Sequence, residues 1–97
     1  LLTDNSQNII WVNDGFKTMT GYLKKDVFQK TPRILQGEKT SLASKSSIRE
    51  KLHSDLPFTE IITNYKKNGL AYKCEVKIFP LKRGKTTHYL ALERQVV

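Results

Sequence analysis

The sequence predicts an α+β domain, a five-stranded antiparallel sheet with short helices packed on one face. Three observations carry this. Two short segments rich in apolar and β-branched residues, Leu1–Thr3 and Ile9–Val12, open the chain. The middle holds only short helical stretches, each bounded by a cap or a breaker. Residues 58–94 then read as three long strands divided by two turn signals, Asn68-Gly69 and Arg83-Gly84. Strands and helices segregate along the chain, as they do when helices cover one side of a sheet.

Each element has a local reason. Asp4 to Asn8 is a polar cluster suited to a turn, so the first two strands pair as a hairpin. Asn13 and Asp14 are N-cap types and Gly21 is a C-cap type. They bracket a helix of about two turns with Phe16 and Met19 on one face. Lys24–Gln29 fits another short helix that buries Val27 and Phe28. Pro32 disfavours helix at Thr31. Thr40 or Ser41 caps a longer helix running to His53, with a narrow apolar face of Leu42, Ala43, Ile48 and Leu52. Asp55-Leu56-Pro57 breaks it. Asn68-Gly69 is expected to form a two-residue hairpin turn with positive φ at both residues. Alternation along the next strand places Tyr72, Cys74, Val76 and Ile78 on one face, with Lys73, Glu75 and Lys77 on the other.

Composition bounds the function. The chain of 97 residues fits one domain, expected to span 1–97, and its start at Leu1 without Met reads as a segment cut from a longer multidomain protein. Its 38% hydrophobic content, with one Trp, four Tyr and four Phe, suffices for a core. The single cysteine, Cys74, excludes an internal disulfide and a cysteine-based zinc site, and it suits a reducing, cytoplasmic compartment. No apolar run is long enough to span a membrane, so no membrane contact is expected. The net charge of +8 comes from dispersed lysines and arginines, Lys24-Lys25, Lys66-Lys67 and Lys82-Arg83 among them. Such dispersion suits a solvated surface, and no nucleic-acid partner is expected.

Four stretches in order then resemble one family. Ile9-Ile10-Trp11-Val12-Asn13-Asp14-Gly15-Phe16, Thr20-Gly21-Tyr22, Asn64-Tyr65-Lys66-Lys67-Asn68-Gly69 and His88-Tyr89-Leu90-Ala91-Leu92 are similar to the corresponding motifs of PAS domains. Thr31-Pro32-Arg33-Ile34-Leu35-Gln36-Gly37 further resembles the cysteine-bearing box of LOV domains, the PAS subfamily that binds a flavin and forms a light-driven cysteine adduct. The resemblance implies a PAS fold over almost the whole chain. It also implies a candidate cofactor-binding pocket of Arg33, Gln36, Asn64, Cys74 and Glu93, with Arg49 at a further matching position.

Departures from the pattern limit what carries over. The box cysteine is Pro32, which supplies no sulfur nucleophile for an adduct. The box asparagine is Thr31. Two ring-contacting amide positions are Cys74 and Glu93. Side-chain amides both donate and accept, whereas a thiol is a weak donor and a carboxylate only accepts. No cofactor is therefore expected, and flavin stands as the alternative. Cys74 by itself reads as a small buried strand residue. Glu93 inside a core must be paired or neutral, with Asn64 or an arginine as partner, unless water reaches it at the strand end.

Alternation on the last strand sets Tyr89, Ala91 and Glu93 inward and His88, Leu90, Leu92 and Arg94 outward. Apolar residues on an open sheet face need a cover. An interface of Leu90, Leu92, Phe79 and Ile61, extended by Tyr65, is expected. The resemblance implies that a second copy, flanking helices or an output domain covers it. No catalytic or metal-binding constellation appears: His53 and His88 are isolated, and phosphate-loop and dinucleotide signatures are absent. The domain is therefore expected to be no enzyme itself. Two functions stay open. One is a relay and dimerisation module of a sensor histidine kinase or related two-component regulator. The other is a small-molecule or flavin sensor without adduct photochemistry.

Overall fold

The computed structural model describes residues 1–96. In chain order the elements are β1 (Leu2–Asp4), β2 (Ile9–Trp11), α1 (Asp14–Thr20), α2 (Lys24–Val27), a 3-10 turn (Pro32–Leu35), α3 (Leu42–His53), β3 (Phe58–Tyr65), β4 (Ala71–Arg83) and β5 (Lys85–Val96). The strands form one antiparallel sheet in the order β2-β1-β5-β4-β3. This is the predicted α+β architecture.

The strand order explains why the helices share one face. β2 and β3 are consecutive strands, yet they occupy opposite edges of the sheet. The chain between them must cross the whole sheet, and the helices lie on that crossing. Core side chains come from both layers: Ile9, Ile62, Cys74, Val76 and Ala91 from strands, Phe16, Val27 and Leu35 from the crossing.

Local signals set the crossing. The Asn13 side chain accepts from Phe16 N and starts α1, and Gly21 ends it in the left-handed region at φ 79°. Thr20, wholly buried, donates from Oγ1 to Phe16 O at 2.8 Å and accepts from Tyr22 N at 3.1 Å. Ser41 caps α3 by accepting from Ser44 N. Pro32 is the first residue of the 3-10 turn, where its missing N–H costs nothing.

Several expectations need correction. Val27 is buried but Phe28 is 45% exposed, because α2 ends at Val27 and the next residue leaves the helical phase. Leu42 is 79% exposed, and Ala43 is exposed beside it. Leu42 precedes Ile48 by six residues, roughly 120° around the helix from the packed stripe. The 68–69 turn also differs. Gly69 N donates to Lys66 O and Lys66 N to Leu70 O, so Lys67 and Asn68 are the central residues. Only Gly69 has positive φ, 91°. This is the longer loop closed by a left-handed glycine. Two side bonds favour it: Lys67 N donates to Thr20 O at 2.8 Å, and Leu70 N donates to Asn68 Oδ1 at 3.0 Å.

Candidate functional site

Between the inner sheet face and the crossing lies a cavity of about 380 Å³. That volume is within the usual ~300–1,000 Å³ of small-ligand sites. Ile62, Val76, Ile78 and Ala91 form much of its sheet wall, with Leu35 and Ile48 opposite. The apolar lining follows from strand alternation on β3, β4 and β5 and from the i, i+4 pair Ile48 and Leu52 on α3.

Four of the five predicted pocket residues meet on this wall: Arg33 and Gln36 from the 3-10 turn and its end, Asn64 from β3 and Glu93 from β5. Arg49 joins them, as does Lys45, which the sequence reading missed. Its place one turn before Arg49 on α3 was the available signal. Arg33 and Arg49 are exposed while Asn64 is 4% exposed, so the cations stand at the mouth and the amide at depth.

Cys74 is not on the wall. It is wholly buried, and burial foremost pushes its thiol up to about 12. The nearby Glu93 charge acts in the same direction. Pro32 lines the cavity at the box position. Among the described residues no thiol faces the cavity.

The half-buried Glu93 side chain makes no ion pair or hydrogen bond among the described residues, so neither Asn64 nor an arginine pairs with it. Burial holds its carboxyl above the usual range. The Tyr72 hydroxyl, close to Asn64, Cys74 and Glu93, is buried without a hydrogen-bond partner. Burial foremost raises its pKa as well, with the neighbouring Cys74 and Glu93 acting the same way.

The opposite sheet face carries the predicted outer residues. Ile61 is 53% and Leu92 52% exposed, and Phe79 pairs with Leu90 across β4 and β5. The row runs further than expected. Leu90 pairs with Leu2, and Leu2 pairs with Trp11, which is 46% exposed. Trp11, Leu2, Leu90 and Phe79 thus cross four strands. Strand alternation from buried Leu1 and Thr3 was the signal that would have found Leu2. Tyr65 does not belong to this face. Its ring lies against Gly37, and its hydroxyl accepts from Lys39 N at 2.8 Å. Tyr65 ends an edge strand, so its side chain can wrap around the rim onto the 37–39 loop.

A family profile described as a PAS domain matches residues 1–94. A blue-light photoreceptor of Listeria innocua is 32% identical over 84% of this chain and 33% of its own length. A light-oxygen-voltage domain whose mechanism was probed with a flavin analogue superposes with TM-score 0.93 at 28% identity, covering 99% of this chain and 75% of that one. The LOV domain of a blue-light activated histidine kinase from Erythrobacter litoralis superposes with TM-score 0.89 at 26% identity, covering 97% and 91%. The chain spans a third or less of the length of the curated relatives it matches. These likenesses give the expectation of a cofactor-free pocket no support. No helix among the described residues is long and apolar enough to cross a membrane.

Proposed function

The chain belongs to the PAS domain family and is LOV-like in fold, and on that footing we propose that it is the sensory and relay module of a larger signal-transduction protein, such as a sensor histidine kinase or another two-component regulator. Its cavity receives a small molecule, and its outer sheet face pairs two copies or packs on flanking helices. The domain performs no catalysis of its own.

One observation carries this reading. Successive residues of β5 alternate between the two surfaces. Ala91 and Glu93 line the cavity, while Leu90 and Leu92 face outward, the latter half exposed. A change in what fills the cavity can therefore shift the outer face without an intermediary element. An apolar row over four strands is costly to leave in water, at about 25 cal/mol per Å².

The test is the oligomeric state of the purified protein by analytical ultracentrifugation over a wide concentration range. A dimer is expected, and Leu92→Glu should convert it to a monomer with an unchanged circular dichroism spectrum. A wild-type monomer at every concentration, in a protein carrying its flanking segments, would sink the pairing.

A second reading is favoured by the cavity and its relatives: a bound flavin without adduct chemistry. Arg33, Gln36 and Asn64 supply a charged mouth and amide groups. The sole thiol is off the wall and protonated. The purified protein is then yellow, and illumination does not bleach it through a thiol adduct. A colourless protein that takes up no added flavin would refute this reading.

A further inference from the structure

The cavity described above has an unusual polar floor. Glu93 has no donor to accept from, and Asn64 stands in the same wall almost wholly buried. Behind Asn64 the Tyr72 hydroxyl is unsatisfied. Among the described residues only the Tyr72 hydroxyl is fully buried without a partner, a state that costs about 1–3 kcal/mol and is rare in native proteins, while Glu93 is half-buried and opens onto the cavity. At the mouth stand three cationic side chains, Arg33, Lys45 and Arg49. The lining between these two polar zones is apolar.

We propose that this cavity takes an anionic ligand whose buried end is a flat heterocycle with two adjacent N–H donors, the amino-lactam edge of a guanine-type nucleotide being the simplest case. This rests on reading the cavity as a ligand site and names the class of ligand.

The chemistry follows from the donor and acceptor inventory. A carboxylate accepts at both oxygens and donates nothing. Two adjacent N–H groups satisfy it bidentately, as a fork. The same donors stabilise the ionised carboxyl inside the cavity, which burial alone disfavours. The Asn64 amide can donate to the carbonyl next to those N–H groups. A heterocycle edge with one N–H between two carbonyls fits poorly, since each carbonyl oxygen would face a carboxylate oxygen. The ring occupies the apolar section, and a phosphate at the other end meets the two arginines and the lysine.

Titration calorimetry of the ligand-free protein with GMP, IMP, AMP and FMN tests this. IMP lacks only the amino group of the paired edge. GMP should bind at least tenfold tighter than IMP or AMP, the discrimination of roughly one good bidentate pair. Glu93→Gln is nearly isosteric but offers one acceptor in place of two. It should bring GMP to within about twofold of IMP while leaving the phosphate end in place. Equal binding of GMP and IMP to the wild-type protein overturns the proposal, even if the variant fails to fold. Tighter binding of FMN than of GMP overturns it as well, yet leaves the sensory reading standing. If none of the four binds and mass spectrometry of denatured protein from the native source finds no small molecule, both readings fall.

Discussion

Arg94 grips Glu75 across directly paired positions of β5 and β4, from Nε to Oε1 at 2.9 Å and from Nη2 to Oε2 at 3.2 Å. The pair lies on the outer face, beside the apolar row, while the preceding residue Glu93 lines the cavity. The Arg94 side chain is 69% exposed and Glu75 17%. Each holds the other charged: hydrogen bonding to Arg94 lowers the Glu75 pKa and the same bond raises that of Arg94.

Exposed pairs are strongly screened. Arg94→Gln is therefore expected to lower the thermal midpoint only slightly at low salt. The difference from wild type should fade as salt rises to about 1 M, where the screening length is ~3 Å. Melting curves at several salt concentrations check this. A loss that persists undiminished at high salt would show that Arg94 acts by packing instead.

Glu93 gives a pH dependence of the opposite sense to the surface carboxylates. Its folded-state value is raised, so the native state holds a proton that the unfolded state has released. Stability must fall as pH rises from the unfolded carboxyl value, about 4.3, through the folded one. Asp4, Asp26, Glu60 and Glu75 have lowered values, so the stability they add is lost only as pH falls below that window. The groups facing Glu93 are Tyr72, Cys74 and the cations of the cavity mouth. Glu93→Gln should be the more stable protein at neutral pH, with the gap closing towards pH ~4. Urea titrations at a series of pH values read the gap, and a gap independent of pH would refute the assignment.

Gly37 is needed for space. A Cβ there would sit 2.4 Å from the Tyr65 ring, closer than any real contact. Gly37→Ala must push the ring away and break the bond from Lys39 N to the Tyr65 hydroxyl. A destabilisation of ~1–3 kcal/mol is expected, typical of overpacking. In a Tyr65→Ala background the same substitution should cost far less. Equal costs in the two backgrounds, measured by chemical denaturation, would show that Tyr65 is not the obstacle.

Cys74 should be chemically silent. It has no exposed surface, and its thiol stays protonated up to about pH 12. The native protein should resist a thiol-specific chromogenic reagent at pH ~8, whereas denatured protein reacts in full, because only the thiolate attacks. Rapid labelling of native protein would contradict this burial.

The fold was legible because its signals are local. Asn13 and Ser41 cap the helices expected of them, Gly21 stops α1, and alternation from Tyr72 to Ile78 separates inside from outside. What misled were positions where a neighbour in space competes with a local preference. Asn68 would suit a positive φ, but the bond from Lys67 N to Thr20 O selects a loop in which only Gly69 needs it. Leu42 looks like a core residue, yet α3 rests on the sheet only through its later turns.

By itself the sequence determined the sheet-and-helix architecture, the absence of a box cysteine at Pro32 and the two-faced character of β5, because strand period and side-chain chemistry belong to the chain. Tertiary structure decided what the resemblance left out of the site and what it wrongly put in, adding Lys45 and removing Cys74. Arg33, Lys45, Asn64 and Glu93 come from four separate elements, and only the crossing from β2 to β3 brings them around one cavity. It also decided that Cys74 lies behind that wall and Glu93 on it. Both point inward from neighbouring strands. Which of them reaches the void depends on how far the helices stand off the sheet at each point, a spacing that no one-dimensional period encodes.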